Sequence, residues 1–121
     1  MQFNLEHDNT INLIQRFENN IITVRGKDYP HNIVVTPQTI LNDWTQHAFS
    51  QLVEQDFNVI FEIKPEIVLL GCGEKQQHLP TKLLPLFIQQ GIGVEVMTNI
   101  AACRTYNILA SEGRNTAVAF T

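Results

Sequence analysis

The first fifty residues consist of short apolar segments separated by polar turns, which is typical of β-strands. Within residues 11–37, two β-prone segments flank residues 18–20, Glu-Asn-Asn, and asparagine tolerates the left-handed backbone of a hairpin turn. Residues 24–28 offer the next turn, and residues 33–36 predict a third strand before Pro37. We therefore expect the amino-terminal half to form a small antiparallel β layer.

After residue 50 the chain alternates helical and strand-like segments. Four apolar residues at helical spacing predict a helix that ends before Pro65: Val53, Phe57, Ile60 and Phe61. Residues 67–70 are wholly apolar, as in a strand covered on both faces. A helix opening at Pro80-Thr81 and closed by Gly91 leads to a strand at residues 94–97. We expect its inner side to carry Leu83, Leu84, Phe87 and Ile88.

A last helix begins at Thr98 or Asn99, runs to roughly Glu112 and ends at Gly113, before a closing strand at residues 116–120. At about 100° per residue, one side of this helix is predicted to contact the core: Ala101, Ala102, Thr105, Ile108 and Leu109. The opposite stripe, predicted to be exposed, carries Arg104, Asn107 and Ser111 with Ile100, and has Cys103 and Ala110 at its margin.

These elements predict an α/β fold with a central mixed sheet, helices packed on it, and the additional small antiparallel layer. The chain has 121 residues, of which 44% are hydrophobic, so it can bury one core and is expected to form a single domain, residues 1–121. Neither a metal site nor a disulfide scaffold is needed for that, and no cofactor is expected.

Charge and hydropathy narrow the classes of partner. The net charge is −4 and the eight Lys and Arg residues are scattered, which argues against nucleic-acid binding. No apolar run approaches the roughly 20 residues that span a bilayer, so membrane insertion is not expected. The amino terminus is acidic and lacks the basic start and apolar stretch of a secretory signal, so we expect a cytoplasmic protein.

Gly71-Cys72-Gly73 follows an apolar strand, as phosphate-binding loops do, but the dinucleotide fingerprint needs a third glycine where Gln76 stands. Glu74 would also repel a phosphate, so a sharp turn is the favoured interpretation. The loop still lies at the carboxyl ends of the predicted parallel strands, where ligands of α/β sheets bind. Candidate residues for a ligand or partner at this edge are Gly71, Cys72, Gly73, Glu74, Thr98, Asn99, Cys103, Arg104 and Asn107.

The sequence gives less support for a catalytic site or a metal site than for a binding site at this edge. A redox pair of Cys72 and Cys103 is conceivable, although small buried hydrophobes are commoner for lone intracellular cysteines. The four histidines, His7, His31, His47 and His78, show no metal-ligand spacing. No nucleophile has a recognisable flanking signature, although triad partners could lie far apart in sequence.

The segment PEIVLLGCG (residues 65–73), followed by GIGVEVMTNIAACRTYNILASEGRNTAVAF (91–120), resembles a family of small domains of uncharacterised function, and ITVRGKDYPHNIVVTPQTILNDW (22–44) resembles it more weakly. The family is shared by bacterial and archaeal proteins, mitochondrial complex I (NADH:ubiquinone oxidoreductase) assembly factor 3 and an animal adipogenesis-associated protein. The resemblance implies a three-layer α/β architecture and members without an assigned reaction. Family members commonly have Thr or Ser between the two glycines, so Cys72 is a departure.

Three hypotheses for the function follow. The resemblance implies that the mitochondrial relatives act through protein contacts, so the first is a non-catalytic interaction protein whose partner is a respiratory-complex subunit or assembly factor. Because the mitochondrial relatives carry a targeting segment that is not seen here, a bacterial or archaeal source is expected. The second is a protein or enzyme that binds a small anion or carboxylate at the strand edge. The third is a thiol redox protein.

Overall fold

The computed structural model describes residues 1–3 and 10–121, so His7 and most of the acidic amino-terminal stretch lie outside the described residues. The strands in the described ranges are β1 (Ile14–Glu18), β2 (Ile21–Val24), β3 (Lys27–Pro30), β4 (Val34–Val35), β5 (Ile40–Leu41), β6 (Ile67–Gly71), β7 (Gly93–Met97) and β8 (Thr116–Phe120). The helices are α1 (Asn58–Ile63), α2 (Leu84–Gln90) and α3 (Asn99–Ser111), with short 3-10 turns at Phe49–Gln51, Glu54–Phe57 and Thr81–Leu83.

The small sheet is antiparallel, in the order β1-β2-β3, which confirms the predicted amino-terminal β layer. Its first turn has Asn19 and Asn20 at φ 53° and 60°, and its second has Arg25 and Gly26 at φ 52° and 75°. Two successive left-handed residues are what a tight two-residue hairpin requires. The sequence analysis did not predict β3, because its side chains are mostly exposed and show no apolar alternation.

The large sheet has the order β5-β4-β8-β6-β7. Strand β6 pairs in parallel with both β7 and β8, whereas β4 is antiparallel to β8 and to β5, so the prediction of a mixed sheet is confirmed. Connections through helices are what parallel neighbours need, and α2 and α3 supply them. Strand β5 was not predicted, since two residues are too short for a periodic signal.

Both faces of the large sheet are covered, which produces three layers. On one face the α3-side core joins α3 and the small sheet, and it includes Ile14, Ile22, Leu69, Tyr106, Val118 and Phe120. On the other face the α2-side core joins α1 and α2, and it includes Phe57, Ile60, Val68, Leu70, Phe87 and Ala119. Successive residues of β6 and β8 alternate between the two cores, as the pleat of a strand dictates.

Helix α2 buries one row of side chains rather than the two that were predicted. Leu83 and Phe87 are buried, but Leu84 is 44% exposed and Ile88 is 69% exposed. Neighbouring residues of a helix lie about 100° apart, so the row of Leu84 and Ile88 turns away from the sheet when Leu83 and Phe87 face it. The prediction that Leu84 and Ile88 face inward is therefore wrong.

The predicted orientation of α3 is also wrong. Its buried residues are Asn99, Ala102, Cys103, Tyr106, Asn107 and Ala110, while Ile108 is 60% exposed. The buried face is rotated by roughly a third of a turn from the predicted one. The cause is polar, because Tyr106 Oη donates to the Asn12 carbonyl at 2.7 Å and Asn107 bonds the backbone of Ile14.

Asn107 joins α3 to β1 through two hydrogen bonds. Its Oδ1 accepts from the Ile14 N–H at 2.8 Å, and its Nδ2 donates to the Ile14 carbonyl at 2.9 Å. The buried side chain of Asn107 thus makes the two hydrogen bonds that a neighbouring strand would make to Ile14, and it fixes how α3 docks on the small sheet.

The sharp approach of β6 to the start of α3 depends on Gly71. A Cβ added at Gly71 would lie 2.5 Å from Asn99 Oδ1 and 2.8 Å from Cδ1 of Phe120. No side chain fits without moving these atoms, so a residue without a Cβ is required at this position.

We predict that Asn107→Ala lowers the free energy of unfolding by at least about 2 kcal/mol, because both Ile14 groups lose their partner and each unsatisfied buried group costs about 1–3 kcal/mol. Urea denaturation followed by circular dichroism measures the loss. Ile108→Ala on the exposed side of the same helix is the control and should change stability by no more than about 0.5 kcal/mol. Equal effects of the two substitutions would contradict the role assigned to Asn107.

We predict that Gly71→Ala destabilises the protein by about 1–3 kcal/mol, because Asn99 or the Phe120 ring has to shift. The matched control is Gly93→Ala in the adjacent strand, where the nearest heavy atoms to an added Cβ lie at 3.6 Å and the change should be within about 0.5 kcal/mol. Chemical denaturation of both variants provides the comparison. A Gly71→Ala protein as stable as the parent would disprove the close approach.

Candidate functional site

The loops after β6 and β7 meet at one edge of the sheet, which we call the rim. The Cys72 N–H donates to the Met97 carbonyl at 2.9 Å, and the Asn99 N–H donates to the Gly73 carbonyl at 2.9 Å. In return, Asn99 Oδ1 accepts from the Gly73 N–H at 3.0 Å. The structure thus brings together Gly71, Gly73 and Asn99, three of the residues selected from the sequence.

The rim is closed by these contacts rather than open as an anion crevice. The side chain of Asn99 occupies the space between the loops, and its N–H at the start of α3 is already used by Gly73. Gly73 has φ 105°, a left-handed conformation that explains the sharp turn. Glu74 is exposed and Thr98 is half-buried, and Thr98 makes no side-chain cap to α3.

Apart from Asn99, the candidates on α3 are one exposed and two buried residues. Arg104 is exposed, and its Nη2 lies 3.5 Å from Met1 Sδ. Cys103 and Asn107, which the helical wheel placed at or near an exposed stripe, are instead buried in the α3-side core and against β1. They cannot be reached at the surface, because the helix turns its Tyr106 side inward.

The two thiols do not form a pair in the structure. Both cysteines are free and buried, and Cys72 belongs to the α2-side core whereas Cys103 belongs to the α3-side core on the other face of the sheet. Burial raises the pKa of the Cys103 thiol to about 12, the opposite of the activation that a helix amino terminus could give. Cys72 Sγ lies 3.3 Å from the Lys75 carbonyl and donates to it.

A pocket that the sequence analysis did not identify lies beyond the carboxyl ends of β6 and β8, on the side of the sheet to which Cys72 points. It has a volume of about 530 Å³, and we call it the β6–β8 pocket. Its walls come from the segment between β3 and β4, the segment that follows β5, and the loop that follows β6. The lining residues include His31, Asn32, His47, Phe49, Cys72 and Gln77.

His47, on the wall of this pocket, is held by Asp56. Its Nδ1 lies 2.8 Å from Asp56 Oδ2, and because a carboxylate can only accept, this nitrogen carries the proton. Asp56 also accepts from the Val53 N–H and from Thr45 Oγ1, each at 2.8 Å. Burial alone would raise the pKa of the Asp56 carboxyl, but the hydrogen bonds from Val53, His47 and Thr45 outweigh it and hold that pKa below its ordinary value.

A second carboxylate near the pocket, that of Asp43, is also hydrogen-bonded within the protein. Asp43 Oδ1 accepts from Asn32 Nδ2 at 2.7 Å and from Gln46 Nε2. Asn32 Nδ2 donates in addition to the Thr45 carbonyl at 3.1 Å. These bonds tie the segment between β5 and α1 to the segment between β3 and β4.

Sequence reasoning missed the pocket because its residues are distant in the chain and belong to irregular segments. His31, His47 and Cys72 follow no local spacing, and only tertiary folding brings them to the same cavity. Trp44, which precedes the lining residue Thr45, has a long-range anchor, as its Nε1 donates to the Phe120 carbonyl at 2.8 Å. Within residues 1–3 and 10–121, no three His, Cys, Asp or Glu side chains cluster in a way that could hold a metal ion.

Comparison with known proteins finds relatives by sequence and by structure. Rat NADH dehydrogenase [ubiquinone] 1 alpha subcomplex assembly factor 3 is 31% identical over 108 residues, which are 88% of this chain and 58% of the rat protein. The chain therefore spans little more than half the length of that relative. An NMR structure of the Xanthomonas campestris protein XCC1710 is 33% identical, with a TM-score of 0.81 over 99% of this chain and 91% of that one.

A bacterial relative carries a different kind of name. The 13 kDa major membrane protein of Francisella tularensis is 30% identical over 89 residues, which are 73% of this chain and 72% of that protein. In the part of the chain that the structure describes, no helix has the length and apolar character needed to cross a bilayer.

A family model described as "Protein of unknown function (DUF498/DUF598)" matches residues 14–121, which include all the strands and helices given above. The match agrees with the similarity to the assembly factors and to the solved bacterial structure. This chain therefore belongs to the DUF498/DUF598 family of proteins of unknown function.

Proposed function

We propose that this protein is a non-catalytic interaction protein that assists the assembly of respiratory complex I, acting from the cytoplasmic side of the membrane. The observation that carries the proposal is the 31% identity to an assembly factor of that complex, over 108 residues that make up 88% of this chain. Its partner would be a subunit or another assembly factor of the complex.

Exposed side chains on two helices support a role in protein contacts. Leu84 and Ile88 lie one turn apart on α2 and are 44% and 69% exposed, so they form an exposed apolar row. Exposed apolar residues that are contiguous are typical of protein interaction surfaces. The α2 row is therefore one proposed contact surface.

Arg104 gives a second proposed contact surface, on the opposite layer. It is exposed on α3, and its Nη2 lies 3.5 Å from Met1 Sδ. Its guanidinium is a planar donor, and arginine is enriched at the energetic centres of interfaces. Of the other sequence candidates, Gly71 and Asn99 contribute by shaping the rim, whereas Cys103 and Asn107 are buried and serve the fold.

We predict that tagged protein expressed in its native host recovers complex I subunits or assembly intermediates. Ile88→Asp or Arg104→Glu should reduce that recovery by about tenfold or more, because each places a carboxylate where an apolar or cationic group meets the partner. Quantitative mass spectrometry of the captured proteins measures the recovery, and blue-native gels of a deletion strain measure complex I content.

Arg114→Glu, beyond the carboxyl end of α3, is the matched control. It loses only an exposed ion pair with Glu66 at 3.5 Å, and should leave both folding and capture unchanged. If neither Ile88→Asp nor Arg104→Glu affects capture, both proposed surfaces are wrong. Normal complex I content in the deletion strain, together with capture of no complex I protein, would overturn the proposed function itself.

A further inference from the structure

The β6–β8 pocket has the size and position of a small-molecule site. Its volume of about 530 Å³ falls within the roughly 300–1,000 Å³ that ligand pockets occupy. It lies beyond the carboxyl ends of two parallel strands, where open α/β sheets most often bind ligands. Nothing in the proposed assembly function requires this cavity, since its residues differ from those of both contact surfaces.

Among the residues that the structure describes, those that line the pocket include two imidazoles and several amides and hydroxyls, and no Asp or Glu. Asp43 and Asp56 are engaged within the wall, the first by Asn32 and Gln46 and the second by Thr45, His47 and the Val53 N–H. These bonds are made within the wall, and neither aspartate is among the residues that line the cavity. An anion in the pocket can therefore be bound by His31, His47 and Gln77.

His47 is oriented for one partner in the pocket. Since Nδ1 is held by Asp56, Nε2 is the ring nitrogen left for a ligand. Protonation of the ring makes Nε2 a cationic donor while Nδ1 keeps its bond to Asp56, so the new positive charge is already paired. This arrangement favours an acceptor group with negative charge at Nε2.

The remaining wall supplies one further donor and an apolar surface. Gln77 Nε2 donates to the Cys72 carbonyl at 2.7 Å, and an amide nitrogen carries a second hydrogen that can reach a ligand. Pro30, Ala48 and Phe49 line the same cavity, and they can cover the apolar part of a small molecule.

We propose that the β6–β8 pocket binds a small organic anion, with its carboxylate or phosphate on His47 Nε2 and His31 and its apolar part against Phe49. This site lies on the opposite side of β6 from the crevice at Thr98 and Asn99 that the sequence suggested, and it shares only Cys72 with the residues selected there. Asp56 is a positioning residue for His47 and does not touch the ligand.

The test is an NMR titration of the ¹⁵N-labelled full chain at a pH of about 6, where imidazoles are largely protonated. Benzoate and inorganic phosphate are the probes, and benzyl alcohol is the neutral match for benzoate. Saturable shifts with benzoate alone identify a carboxylate with an apolar body as the ligand class. Saturable shifts with phosphate alone identify a phosphate as the ligand class. With either probe, the shifts should centre on the amides of His47, Phe49 and Cys72.

His47→Gln should weaken the binding of the active probe at least about tenfold, since a charge-assisted hydrogen bond is lost. It should remain folded, because Asp56 keeps its bonds to Thr45 and to the Val53 N–H. His78→Gln, in the exposed part of the loop before α2, is the matched control and should bind as the parent does. If His47→Gln does not fold, His31→Gln takes its place with the same expected loss.

Three results would overturn the proposal. The first is the absence of saturable shifts with either anion at concentrations of tens of millimolar. The second is binding of benzyl alcohol as tightly as benzoate, which would show that no charge is recognised. The third is unchanged affinity of a folded His47→Gln or His31→Gln protein for the anion that binds the parent.

Discussion

Burial of β6 and β8 on both faces is the constraint from which the rest of the structure follows. All five residues of β8 and four of the five of β6 are buried, so neither face of this strand pair can be left to water. Two separate covers are needed, since successive side chains point to opposite faces. The chain supplies α3 with the small sheet on one face and α1 with α2 on the other.

Buried polar groups determine how those covers dock. Asn107 holds the backbone of Ile14, Tyr106 donates to the Asn12 carbonyl, and Trp44 donates to the Phe120 carbonyl. Apolar burial is roughly indifferent to small rotations of a helix, whereas a buried hydrogen bond is costly to leave unmade. Hydrophobicity therefore drives the layers together, and these three side chains select one arrangement of them.

This division explains which elements could be predicted from the sequence. The apolar runs of β6 and β8 and the paired asparagines of the first hairpin are local signals, and the structure confirms them. The inward face of α3 is not a local property, because its Tyr106 and Asn107 are buried only by virtue of partners more than ninety residues away in sequence. A helical wheel places such polar residues on the exposed side, so the predicted buried face of α3 differs from the observed one.

The rim shows the same difference between local sequence signals and contacts made by residues that are distant in the chain. Two glycines on either side of Cys72 suggested a ligand loop, but both serve the fold. Gly71 leaves room for the Asn99 side chain, and Gly73 adopts the left-handed backbone of the turn. Cys72, between them, points to the other side of the strand and lines a cavity whose imidazoles come from distant loops. Successive residues of a strand point to opposite faces, so Gly71 and Gly73 belong to the closed rim whereas Cys72 faces the β6–β8 pocket. A sequence motif can mark the right edge of a sheet while the chemistry at that edge depends on side chains that the motif does not contain.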